Sequence, residues 1–243
     1  MQFYIITPFP EIFNSPLNET ILKRAQDKGL VKIHIIPLRE FATGKHQQLD
    51  DYPYGGGPGM VLKPEPIFKA FESLQLDRED NKTKIVYMSP QGSHLNQQKM
   101  EELAVLETLV ILCGRYKGVD QRVIDTWIDE EISIGDYVLS GGEIPALVMI
   151  DGIARLIPGV LGNTDSTLTD TFHANLLDYP TYTRPAVWKG LSVPEVLLHG
   201  NHQKIAEWRL EKSIQKTAQQ RNDLYLKYIA EVKESKSERS SSN

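Results

Sequence analysis

Apolar and polar positions along the chain alternate between two periodicities. Residues 3–6, 31–36, 85–88, 109–113 and 132–134 are compact apolar runs of strand length. Between them, apolar residues recur at helical spacing over 17–28 (stopped by Gly29), 64–74, 96–106, 119–128 and 145–157. Residues 39–63 form a long polar, glycine-rich connection. Such strand–helix alternation predicts an α/β fold built on a mainly parallel sheet. From 162 to 170 the pattern gives way to Gly, Asn, Thr, Asp and Ser, the composition of a linker. Helical spacing returns over 194–198, over 203–217 with Ile205, Trp208 and Ile214 facing a core, and over 223–232. The Ser/Glu/Lys tail from about 233 is expected to be disordered. The expected layout is an α/β body over 1–162, a flexible linker over 163–178 and a small helical domain over 179–243.

Composition narrows the class without changing that layout. Of the 243 residues, 40% are apolar and 24% charged, as in ordinary globular chains. No stretch of about 18 uncharged apolar residues is available to span a bilayer. The opening residues lack the basic lead of a secretory signal. A lone Cys113 cannot bridge internally, and with six scattered histidines it makes no zinc framework. The chain reads as a soluble protein of a reducing compartment, with the cytoplasm as its expected location. Net charge is −5, but residues 180–243 hold 11 Lys/Arg against 7 Asp/Glu, leaving the preceding part at −9. A positive segment on an acidic body suits a phosphate backbone, and it equally suits a solvated helical surface.

Several chemistries are missing. There is no Walker-type phosphate loop, no Gly-x-Gly-x-x-Gly turn between strand and helix, and no Gly-x-Ser-x-Gly elbow. The glycine-rich run from Tyr54 to Met60 follows no strand directly and reads on its own as a flexible turn. Three segments are better placed. Ser89-Pro90-Gln91-Gly92, Gly114-Arg115-Tyr116 and the stretch from Ile134 to Glu143 each follow an expected strand. Ligands of open α/β sheets bind beyond the carboxyl ends of strands, so three such loops point to one shared pocket.

Together with Pro53–Met60, Ile157-Pro158-Gly159-Val160-Leu161-Gly162 and Tyr182-Thr183-Arg184-Pro185, these segments resemble the TrmD family of bacterial tRNA (guanine-N1)-methyltransferases, in unbroken order to about residue 230. The resemblance implies a SPOUT-type parallel sheet with a deep trefoil knot, although connections that thread are otherwise excluded by their rarity. It implies S-adenosylmethionine as methyl donor and tRNA as partner, with neither DNA nor membrane involved. It also implies a homodimer whose active site is shared between subunits. The reaction is methylation of N1 of the guanosine 3′ to the anticodon. Two alternatives stand beside it: a methyltransferase for another RNA or for a ribose hydroxyl, and a noncatalytic RNA-binding protein with the same fold.

Carried over by motif position, the donor site comprises Tyr87, Met88, Ser89, Pro90, Gln91, Gly92, Gly114, Arg115, Tyr116, Ser133, Ile134, Gly135, Asp136, Tyr137, Val138, Leu139, Gly141, Gly142 and Pro145. The side chains of Tyr137, Val138 and Leu139 equally suit core packing. Neutral guanine carries a proton on N1, so a carboxylate must accept it while a cation steadies charge on O6. The resemblance gives these roles to Asp170 and Arg155. It gives RNA contacts to Gly59, Lys117, Thr171, Asp178 and Arg184, with Tyr182 and Pro185 near the target stem. Lys204, Arg209, Lys212 and Lys216, spaced along one helix, suit either the anticodon stem or plain solvation. One departure stands out. The family usually has glutamate where this chain has Lys117, and that glutamate is linked to the guanine site and to magnesium. The residues leave two readings, Mg2+ bound elsewhere or a lysine on phosphate.

Overall fold

A computed structural model of the chain describes residues 1–161, 172 and 175–241, the stretch from 235 as backbone alone. It divides into two compact units, Met1–Thr164 and Asp165–Asn243.

The first unit is a five-stranded sheet of β1 (Gln2–Thr7), β2 (Lys32–Pro37), β5 (Thr83–His94), β6 (Thr108–Cys113) and β7 (Glu130–Ser133). Its order is β2-β1-β6-β5-β7 and every pairing is parallel. Parallel neighbours need crossovers, which α1 (Thr20–Asp27), α2 (Pro64–Ser73), α3 (Gln97–Ala104) and α4 (Gln121–Trp127) supply. A two-residue pair, β3 (Asp50–Asp51) with antiparallel β4 (Val61–Leu62), interrupts the 39–63 connection.

Strand residues alternate between two buried faces. Phe3, Ile5, Val86, Met88, Leu109, Ile111 and Cys113 meet α1, α3 and α5 (Glu143–Leu156). Ile6, Ile85, Tyr87, Val110 and Leu112 meet Ile67, Ala70 and Phe71 of α2 and Val123 of α4. Met149, Ile150 and Ile153 of α5 are wholly buried, each contributing about 1.5–3 kcal/mol. The opposite face of α5 exposes Ile144 and Val148, with Asp151 and Arg155 following at helical spacing.

Local boundaries differ from the sequence expectation for identifiable reasons. Leu17 belongs to a short 3₁₀ turn, Pro16–Asn18, and α1 starts only at Thr20 after an extended Glu19. β5 does not end at Met88. Met88 and Ser93 both face Ile132, so 89–92 leaves the ladder as a loop and pairing resumes at Ser93 and His94.

In the second unit, β8 (Val187–Trp188) and β9 (Leu191–Ser192) form a hairpin, followed by α6 (His202–Gln220) and α7 (Asn222–Ser241). Buried Thr217 donates to the Ser213 carbonyl at 2.7 Å and accepts the Leu177 amide at 2.8 Å. The helix α7 continues past 233, where a disordered tail was expected. Its Lys, Glu and Arg are good helix formers in their own right and extend an existing helix without a nucleation cost.

Candidate active site

The carboxyl ends of β5, β6 and β7 and the N-terminus of α5 surround one open cleft of about 660 Å³, mouth included. The 89–91 loop, the turn from Gly114 to Gly118, and the segments Ser133–Gly135 and Tyr137–Gly142 all line it, with Tyr87, Met88 and Pro145 behind them. The cleft thus brings together the expected donor-site residues apart from Gly92 and Asp136. Gly92 is instead pressed on the neighbouring strand: a β-carbon there would lie 2.3 Å from the Glu131 carbonyl carbon. Asp136 faces outward and contacts His94 Nε2 at 2.7 Å. Tyr137, Val138 and Leu139 are exposed rather than packed in the core.

A buried ionic network fixes two of the loops. Glu143, in the first turn of α5 and 1% exposed, accepts the Thr7 hydroxyl at 3.0 Å. Its other carboxylate oxygen faces Arg115 Nε at 3.7 Å, too long for a hydrogen bond. Arg115 also donates to the Ser140 carbonyl at 2.9 Å and lies 4.2 Å over the Phe9 ring. The Gly142 amide donates to the Gly114 carbonyl at 3.0 Å. Negative charge at a helix N-terminus is favoured by the helix dipole, which offsets part of the cost of burying Glu143. Burial pushes the Tyr87 hydroxyl up to about 12, helped by the negative charge of Glu131 and opposed by the Val119 backbone. Burial likewise drives the Cys113 thiol well above its ordinary range, with Glu143 adding to the effect, so this thiol is no nucleophile.

Sequence reasoning gave no role to Glu143, Thr7, Phe9, Ser140, Gly118 or Ile132. Glu143 closes a quoted motif, and its place at a helix start was the available signal. Thr7 is 136 positions away from it, and no spacing rule joins the two.

Other expected residues lie elsewhere. Gly59 packs against Lys117, the Lys117 amide donates to the Met60 carbonyl at 3.0 Å, and Lys117 reaches the cleft lining. Gly59 has φ +97°, where a side chain would be strained. Arg155 lies in the last turn of α5, about 18 Å along the axis from Glu143 at ~1.5 Å per residue. Asp170 and Thr171 lie outside the described residues.

Asp178 and Arg184 belong to the second unit. There the Asp178 carbonyl accepts from Lys216 at 3.1 Å, and Arg209 lies 4.7 Å over the Tyr179 ring. Those two cations of α6 therefore hold their own unit together. Lys212 contacts Gln215, and Lys204 is exposed. Tyr179, Tyr182, Arg184, Leu197 and Arg209 share a second open cleft within this unit.

Donor chemistry fits the first cleft: its loops come close enough to offer backbone groups, and it holds a neutral phenol and a neutralised guanidinium. Among the described residues magnesium finds no fit there, because no aspartate or glutamate lines the cleft. Among the described residues no helix is long and apolar enough to cross a membrane.

A family model described as tRNA (Guanine-1)-methyltransferase TrmD matches residues 1–227. A curated protein of Clostridioides difficile (strain 630), named tRNA (guanine-N(1)-)-methyltransferase, is 51% identical over 227 residues, covering 93% of this chain and 98% of that protein. Proteins of the same name from Dictyoglomus turgidum (strain DSM 6724 / Z-1310) and Alkaliphilus oremlandii (strain OhILAs) are 52% and 47% identical. They cover 93% and 96% of this chain, and 91% and 96% of their own lengths.

Proposed function

Because this chain belongs to the tRNA (guanine-1)-methyltransferase family, we propose that it methylates N1 of the guanosine 3′ to the anticodon of tRNA. One observation carries the reading: three loops at consecutive strand ends converge on a single cleft, in a chain that matches the family over residues 1–227. The SPOUT architecture of the family accords with the parallel sheet, and the trefoil knot is part of this reading.

The donor is S-adenosylmethionine, held by the loops of residues 87–92, 114–116 and 133–142. When bound, it supplies an electrophilic methyl group. The chain's own residues must free the acceptor. Asp170 takes the N1 proton, and Arg155 steadies the charge that develops on O6. A free aspartate, with an ordinary pKa near 3.9, is a weak base for a ring proton that leaves only in alkali. A guanidinium at O6 makes that proton more acidic, so base and cation act as a pair. Thr171, Asp178 and Arg184 contact the RNA, and extruding the target base costs a few kcal/mol that such contacts offset.

The active unit is a homodimer. Arg155 lies along α5 from the cleft, on the same exposed face as Ile144 and Val148, and Tyr137, Val138 and Leu139 expose apolar surface at the cleft mouth. Exposed apolar surface of this kind favours a partner, and a second copy brings its own Arg155 and Asp170.

Labelled-methyl transfer to a tRNA transcript, followed by mapping of the modified position, tests the function. Asp170→Asn is expected to slow single-turnover transfer by about 10²–10⁴ while calorimetric donor affinity stays the same. Equal turnover by mutant and parent removes Asp170 from the base role. Donor and RNA binding with no transfer by the parent protein would favour the noncatalytic reading.

A further inference from the structure

Magnesium takes near-octahedral oxygen ligands, usually one or two carboxylates among them. Among the described residues, the carboxylates beside the cleft are engaged otherwise: Asp136 with His94, and Glu143 with Thr7 and Arg115. Among the described residues, no group of three or more His, Cys, Asp or Glu is placed to hold a metal ion. What the cleft mouth has is a cation. Lys117 is exposed, lines the cleft, and forms no ion pair among the described residues. Its stem is laid across Gly59, where a β-carbon would fall 2.8 Å from Lys117 Cγ, and its amide is tied to Met60. The flexible part of the side chain is thereby restrained on one side, and the ammonium stays at the surface. Among the described residues, the other cleft cation, Arg115, is offset by Glu143, so Lys117 leaves that lining with a net positive charge.

The chemistry of the two ligands decides which one that charge serves. The donor carries a sulfonium and an ammonium against a single carboxylate, so it gains little overall from a further cation. RNA brings one negative charge per nucleotide. We propose that the Lys117 ammonium holds a backbone phosphate of the RNA at the mouth of the cleft, and that the cleft has no resident divalent cation. This rests on the transferase reading above and names how the same site engages its substrate.

The test uses the full chain and a tRNA transcript folded in sodium and spermidine, so that chelation leaves the RNA intact. Single-turnover transfer is expected to be the same in EDTA as in magnesium, and Mn2+ titrated into the protein with donor is expected to show no bound ion by electron paramagnetic resonance. Lys117→Gln is expected to weaken RNA binding, to flatten the slope of log affinity against log salt by about 0.7, and to leave donor affinity as it was. Lys117→Arg restores the slope. Loss of transfer in EDTA that magnesium recovers, or a stoichiometric Mn2+ site, overturns the proposal. So does a Lys117→Gln protein with an unchanged salt slope or a weakened donor. If transfer fails in both buffers, the transferase reading falls, and the Mn2+ titration and the salt slope still decide this one.

Discussion

Glu143 and Arg115 face each other with 2% and 18% of their side chains exposed, and Thr7 supplies the hydrogen bond their geometry lacks. Removing one partner of such a pair strands the other in low dielectric. Glu143→Ala is therefore expected to destabilise the fold by about 3–5 kcal/mol, read as a lower urea midpoint at unchanged slope. Glu143→Gln keeps the shape and the Thr7 contact and should lose less. Tyr87 gives a pH signature. Its folded pKa, about 12, lies above the ordinary 10.0, so the unfolded chain releases its proton first as pH rises. The stability from neutral Tyr87 is complete below pH 10 and lost between 10 and 12, by about 1.4 kcal/mol per pH unit. Denaturant titrations of Tyr87→Phe should show a flatter fall over that window. Residue types in these positions were legible in the sequence. The partners were not, since Glu143 finds Thr7 across most of the first unit, and that pairing is a product of the sheet.

At the scale of elements, the 89–92 loop shows how the cleft is made. Apolar spacing marks β5 only to Met88, because Ser-Pro-Gln-Gly has no face to bury, yet the strand resumes at Ser93 opposite the same Ile132. The excursion that results is one wall of the site. It stays flush with β7 only because residue 92 has no side chain. Gly92→Ala must push backbone against backbone, and we expect at least about 1–3 kcal/mol of destabilisation together with weakened donor binding. Calorimetry and denaturant midpoints, measured on the same preparation, would reveal an intact fold and normal donor affinity if the contact were unimportant. The strands and most helices of the first unit were evident from periodicity, as local burial dictates them. The missed features, a late start for α1 and the extra length of α7, depend on a backbone turn at Thr20 and on helix propagation. Neither leaves an apolar signature.

For the whole molecule, the proposed shared site makes a quantitative demand. When an Asp170→Asn protein is mixed with a folded variant whose cleft no longer binds donor, random exchange puts half the chains in mixed dimers. Each mixed dimer has one site with an intact cleft and an intact aspartate, so activity should recover to roughly a quarter of the parent. Two inactive proteins that stay inactive after verified subunit exchange would show that each chain works alone. The α/β class was legible from alternation, but the strand order was not, because an apolar run does not name its neighbours. That order has a consequence for how the protein is made. Residues 2–6 pair on one side with 108–112, more than a hundred positions later. At ~5–20 residues per second, a ribosome needs on the order of ten seconds to deliver that partner. Throughout the interval Phe3 and Ile5 occupy a strand with one edge unsatisfied, so the nascent chain, more than the finished enzyme, is where chaperone dependence and aggregation should concentrate.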